Sequence, residues 1–133
     1  MPEITVVTNR DCELVDITNQ INAVIPPGIK YGICHLFTPH TTAAITVNEN
    51  VDPDVRYDIL KKLDLLCPKT ESFYRHSEGN SAAHLKASLI GVALALPIRN
   101  SRLRLGTWQG VYFCEFDGPR TRQVQIYFQA AEA

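Results

Sequence analysis

Apolar and β-branched residues concentrate over residues 4–8 and 13–17, two short strand signals, with the polar Asn9-Arg10-Asp11 as the turn between them. Ile17, Ile21, Val24 and Ile25 then recur at helical spacing, with Thr18 as a capping residue, and Pro26-Pro27-Gly28 ends that helix. Residues 31–37 read as a buried strand, and residues 43–47 as another carrying the β-branched Ile45, Thr46 and Val47. The clearest helix follows. Asp52 suits its N-cap and Pro53 its first position, and Val55, Ile59, Leu60 and Leu63 mark one apolar face before Pro68 stops it. After a polar stretch over residues 69–80, a short helix begins near Ser81 and ends at Gly91, and residues 92–98 read as a buried strand. Residues 110–116 and 122–128 are predicted to form a hairpin around Asp117-Gly118-Pro119-Arg120.

Strands outnumber helices and do not alternate regularly with them, so the expected fold class is α+β with a largely antiparallel sheet and a few short helices. With 133 residues and no repeat or linker, the chain is expected to form a single domain over residues 1–133. Hydrophobic residues at 45% and charged residues at 20% place it among globular rather than disordered chains. A net charge of −1 gives no reason to expect nucleic acid or a membrane surface as partner. The N-terminus lacks a signal-peptide pattern, and the apolar run 89–98 is too short to span a bilayer, so a cytoplasmic protein is expected. Cys12, Cys34, Cys67 and Cys114 are widely spaced, which argues against a zinc ribbon, a C-x-x-C redox motif or a disulfide framework.

Candidate chemistry centres on three histidines. His40 follows a strand exit, His76 lies in a polar loop, and His84 falls in the first turn of the short helix. Three neutral imidazoles leave an open position on a metal, as metal catalysis requires, although spacing alone leaves surface or hydrogen-bonded histidines open as well. His35, inside an apolar run, reads as a core or interface residue. Among the carboxylates, Asp52 and Asp54 are explained by helix capping and the helix dipole. Glu115 interrupts the aromatic strand Tyr112-Phe113-Cys114-Glu115-Phe116 and reads either as a solvated residue or as a site-facing acid. Lys86 and Ser88 share the short helix with His84 and are placed to meet an anion. Arg99, Arg102, Arg104, Arg120 and Arg122 fit solvated strand ends and turns. Trp108, between Gly106 and Gly110, suits packing or a stacking lid.

Four blocks carry a family resemblance: HTTAAITVNEN (40–50), DPDV (52–55), YRHSEGNSAAHLKASLIG (74–91) and GTWQG (106–110). Together, in order and across essentially the whole chain, they resemble the YjbQ family, also described as secondary thiamine-phosphate synthase enzymes. The resemblance implies an α+β subunit assembled as a homotrimer, with His40, His76 and His84 as ligands of a divalent metal. Zinc is the expected ion, or magnesium with a diphosphate substrate. It further implies Asn48, Glu49, Lys86, Ser88, Gln109 and Arg122 as pocket residues, with a phosphorylated small molecule as partner. Glu49 and Glu115 are then the candidate catalytic carboxylates, and Trp108 the surface on which a pyrimidine would stack.

The implied reaction joins a hydroxymethylpyrimidine diphosphate to a thiazole phosphate, as a main or a side activity. The metal, Lys86 and Arg122 would stabilise charge on the leaving diphosphate. Two other readings fit the same residues. One is a metallohydrolase of a small phosphate ester or amide, and the other a non-catalytic trimeric module that binds a metal or a small anion.

Overall fold

The computed structural model describes residues 2–132. In chain order the elements are β1 (Glu3–Val7), β2 (Glu13–Asp16), α1 (Thr18–Val24), β3 (Tyr31–Phe37), β4 (Ala43–Glu49), α2 (Pro53–Leu66), α3 (Ser81–Ile90), β5 (Ala93–Arg99), β6 (Arg102–Leu103), β7 (Gln109–Glu115) and β8 (Thr121–Ala130). All strand pairs are antiparallel and form two sheets, a larger one ordered β1-β8-β3-β5-β6 and a smaller one ordered β2-β7-β4. The α+β expectation holds.

The sheets stack on one another, and α2 and α3 cover the far side of the smaller one. Ile4, Val6, Cys34, Leu36, Val124 and Ile126 of the larger sheet pack against Ala43, Ile45, Val111 and Phe113 of the smaller. On the opposite face, Leu14, Ala44, Tyr112 and Cys114 pack against Leu63 of α2 and Ala83 and Ala87 of α3. The smaller sheet is therefore the middle layer. This explains why β7 is buried without alternation from Gly110 onward, since a strand covered on both faces has no solvent side. Among the described residues, no element covers the outer face of the larger sheet.

The predicted hairpin over residues 110–128 does not form. β7 belongs to the smaller sheet and β8 to the larger, so the turn between them is a corner linking two layers. The same holds for β1 and β2. Helix starts follow sequence logic more closely. Asp52 Oδ1 accepts from Asp54 N–H at 2.9 Å, and Pro53 occupies the first turn of α2. For α1 Thr18 is the first helical residue and not the cap; Ile17 holds the N-cap position without a side-chain cap bond, while Asp16 Oδ1 accepts from both Thr18 N–H and Thr18 Oγ1. Gly91 closes α3 at φ 100°, a conformation that favours glycine, and its N–H donates to Ala87 O. Among the described residues no helix is long and apolar enough to cross a membrane.

Candidate functional site

The chain leaves the larger sheet at Thr38-Pro39, where proline has no N–H to continue the ladder. Two side chains take over. Thr38 Oγ1 donates to Gln123 O (2.9 Å), and Gln123 N–H donates to His40 Nε2 (3.0 Å). Both main-chain groups of Gln123 are satisfied by side chains as a result. An imidazole that accepts at Nε2 carries its proton on Nδ1, so the hydrogen bond fixes the neutral tautomer of His40. Burial, followed by the nearby Arg122 guanidinium, pushes the His40 pKa below its ordinary 6.5, in the same direction.

Arg122 is itself held from below. Its Nε donates to Glu115 Oε2 at 2.8 Å and its Nη2 to Glu115 Oε1, a two-pronged pair at 3% and 0% exposure. Thr8 Oγ1 donates to Glu115 Oε2, Asp117 N–H donates to Oε1, and Arg122 Nη2 also donates to Thr42 Oγ1 at 2.8 Å. Burial alone would raise the Glu115 pKa, but the bonds from Arg122, Asp117 N–H and Thr8 more than offset it and hold the carboxyl below its usual range. The expected catalytic acid is thus sealed inside, with both oxygens occupied. It positions Arg122 and, through it, the floor beneath His40.

His76 and His84 approach from the other wall. The turn before α3 carries His76, and one helical turn in from the helix start lies His84. The two rings lie edge to face with centroids 5.4 Å apart. They share with His40 a polar cleft of about 410 Å³ that Asn80, Arg120 and Arg122 also line. Asn80 Nδ2 donates to Asp117 Oδ2 (2.8 Å), while Asn80 Oδ1 is buried without a partner among the described residues. Arg120 donates to Asp117 through Nε and Nη2. At the rim, Glu78 lies 4.0 Å from His76 Nε2. Ser88 lines an adjoining hollow with His40 and His84, although its hydroxyl donates back to His84 O at 2.9 Å.

Lys86 does not join this group. Positions i and i+2 of a helix point to different sides, so Lys86 turns away from His84. It lies buried under α2, ion-paired to Asp64 and 3.9 Å from Cys12 Sγ. Asn48, Glu49, Trp108 and Gln109 are also elsewhere. β4 starts with Ala43 opposite Glu115 and ends with Glu49 opposite Gln109, which puts the latter end roughly 20 Å from the histidines. There Asn48 Oδ1 accepts from Glu49 N–H, Gln109 Oε1 accepts from Gly106 N–H, and Trp108 is 60% exposed. Thr42, Asn80, Asp117 and Arg120 are among the cleft residues that sequence reasoning did not place in the site. Thr42 and Asp117 lie two residues from His40 and Glu115, and Asn80 lies midway between His76 and His84.

The three imidazoles meet in one cleft but do not form the expected metal centre. Among the described residues, no group of three His, Cys, Asp or Glu side chains is arranged to hold an ion. The physical reason lies at His40, where the Gln123 N–H occupies the Nε2 lone pair and the proton sits on Nδ1, so neither nitrogen offers an electron pair. What remains is a hydrogen-bonding site with two imidazoles that accept, donate or relay a proton, beside a third that acts as a fixed donor.

The architecture and cleft define a three-layer α+β domain with an imidazole-lined polar site. The family profile described as "UPF0047 protein YjbQ-like" matches residues 2–131, and the chain belongs to that family. It is 51% identical over 120 residues to the UPF0047 protein YugU of Bacillus subtilis, covering 90% of each chain. It is 49% identical over 120 residues to a UPF0047 protein of Methanocaldococcus jannaschii, covering 90% of this chain and 86% of that one. A crystal structure of an uncharacterised YjbQ/UPF0047 protein from Clostridium acetobutylicum superposes with a TM-score of 0.93 at 48% identity, over 97% of this chain and all of that one. A conserved hypothetical protein of Thermus thermophilus also gives 0.93, at 43% identity and the same coverage.

These comparisons establish the family and correct the expected activity. The relatives are described only as UPF0047 or uncharacterised proteins, and none as a thiamine-phosphate synthase. With no three-residue ligand set among the described residues, the metal-dependent transferase is overturned, and the metallohydrolase and the metal-binding module fall for the same reason.

Proposed function

We propose that the cleft between His40 and the His76–His84 pair recognises a small phosphorylated molecule by hydrogen bonding. The observation that carries this reading is the convergence of His40, His76, His84 and Arg120 from four separate segments on one polar hollow. Several donors face it. His40 offers Nδ1–H, each of the other imidazoles offers an N–H, and Arg120 keeps guanidinium hydrogens beyond those bound to Asp117. Of the two carboxylates at the rim, Asp117 is already bound to Arg120 and Asn80. The start of α3 adds to the same polarity, for it has no side-chain cap bond and no acidic residue in its first turn. Asn80 Oδ1 supplies one acceptor for a ligand hydroxyl. The size of the hollow suits a metabolite rather than a polymer.

Titration of the intact chain with inorganic phosphate and glycerol phosphate, followed by NMR of the imidazole and backbone groups, tests the reading. Shifts should concentrate at His76, Asn80, His84 and Arg120, and a His76→Asn/His84→Asn variant should bind at least tenfold more weakly. Unchanged binding in that variant, or shifts elsewhere only, would refute the assignment.

A further inference from the structure

At the far end of the larger sheet, on its uncovered face, three arginines stand together. Tyr31 of β3 lies opposite Arg99 of β5, and Arg99 lies opposite Arg102 of β6. Residues directly opposite share a face, so Tyr31, Arg99 and Arg102 form one row across three strands. Arg104 sits one position on, where its N–H donates to Pro97 O at 2.8 Å, and Pro97 shares that outer face with Arg99. Ile98 and Leu103 point the other way, into the core. All three arginines are exposed, and among the described residues none is ion-paired, the five ion pairs lying elsewhere.

Like charges placed directly opposite in a ladder are destabilising. The hairpin nevertheless presents them rigidly. Asn100 and Ser101, at φ 54° and 60°, make a two-residue turn with both central residues left-handed, and Ser101 Oγ donates to Pro27 O at 3.0 Å. Next to the row is a hollow of about 450 Å³ lined by Tyr31, Gly32, Ile98, Arg99, Arg104 and Glu132. Gly32 lets β8 lie close beside the hollow, for a Cβ there would meet Gln129 O at 2.2 Å. Three chemistries thus meet at one depression: an aromatic face, a pair of guanidinium groups without an ion-pair partner among the described residues, and the carboxylate-bearing Glu132.

We propose that this corner binds a mononucleotide. Arg99 and Arg104 take the phosphate in forked hydrogen bonds, with Arg102 adding charge beside them. The base lies against Tyr31, and its amino or imino hydrogen reaches Glu132. Strands are about 4.8 Å apart, so guanidinium groups on neighbouring strands reach a single phosphate. The site is independent of the histidine cleft, which lies at the other end of β3.

The deciding experiment titrates the intact, isotope-labelled chain with AMP, adenosine and inorganic phosphate. AMP should shift the amides of Gly32, Ile98 and Arg104 and bind at least tenfold more tightly than adenosine. Arg99→Gln/Arg104→Gln should lose at least tenfold in AMP affinity while keeping a native spectrum. Tyr31→Ala should weaken AMP and leave phosphate unchanged. Equal binding of AMP and adenosine, native affinity in the double variant, or shifts confined to residues 76–84 would overturn the proposal. So would a single-stranded oligonucleotide whose affinity climbs steadily with length, which would mark the corner as a polyanion track.

Discussion

Arg122 and the trio Arg99, Arg102 and Arg104 occupy opposite ends and opposite faces of the same five-stranded sheet, and they solve the problem of a cation on a strand in opposite ways. Arg122 lies buried on the inner face, where water is excluded, and every nearby acceptor is recruited to it: both Glu115 oxygens and Thr42. The trio lies on the outer face with solvent as its only partner among the described residues. In the first case the cation is part of the structure, and removing its partner leaves a charge stranded. In the second the structure tolerates a small repulsion that only an external anion relieves. The difference separates a positioning residue from a candidate binding residue without reference to any ligand.

The comparison breaks most easily at the buried end. Glu115→Ala or Arg122→Ala should each cost about 3–5 kcal/mol in urea unfolding, because one charge is left uncompensated. Replacing both, as Glu115→Leu/Arg122→Met, should restore most of that loss. A cost below about 1 kcal/mol for either single change would mean that the network is wet and the contrast false. Next in size, His40→Ala leaves the Gln123 N–H without its acceptor and should cost about 1–3 kcal/mol by the same measurement.

Acid should weaken the native state in two stages. The folded pKa of His40 lies below its ordinary 6.5, so its contribution is complete above that value and is lost as pH falls toward the folded pKa. Glu115 has a folded pKa below its ordinary 4.5, so its contribution is likewise lost on acidification, at lower pH. Stability should therefore hold from pH 8 down to about 6.5 and fall in two stages between there and pH 3. The Glu115→Leu/Arg122→Met variant should lack the lower stage, and an unchanged acid limb in that variant would contradict the Glu115 assignment. The smallest effect belongs to the exposed end. Arg102→Thr should stabilise the chain by about 0.2–1 kcal/mol, with the gain shrinking in high salt.

Much of this was legible in the sequence where local rules govern. The Asp52 cap, Pro53 at the start of α2, Gly91 at the end of α3 and the strand runs appear as the patterns predict. What failed was pairing. Residues 110–116 and 122–128 read as a hairpin because the turn chemistry is right. Strand partners, however, are chosen by which faces must be buried, and β7 is claimed by the middle layer. At the site, the gathering of His40, His76 and His84 was visible, but the state of His40 was not. Its partner is a main-chain N–H 83 positions away, and no side-chain pattern encodes that. The placement of Lys86 could have been foreseen, because two steps along a helix carry a residue off the face of His84.

The bond from Gln123 to His40 has a consequence for measurement. A single amide proton is tied to an imidazole, and that proton is shielded from exchange only while the imidazole stays neutral and in place. Protonation of His40, or any occupant that turns its ring, releases the amide. The Gln123 signal should then exchange faster with deuterium while its strand neighbours keep their protection. The molecule thus carries its own label, one backbone hydrogen whose lifetime reports the condition of the cleft.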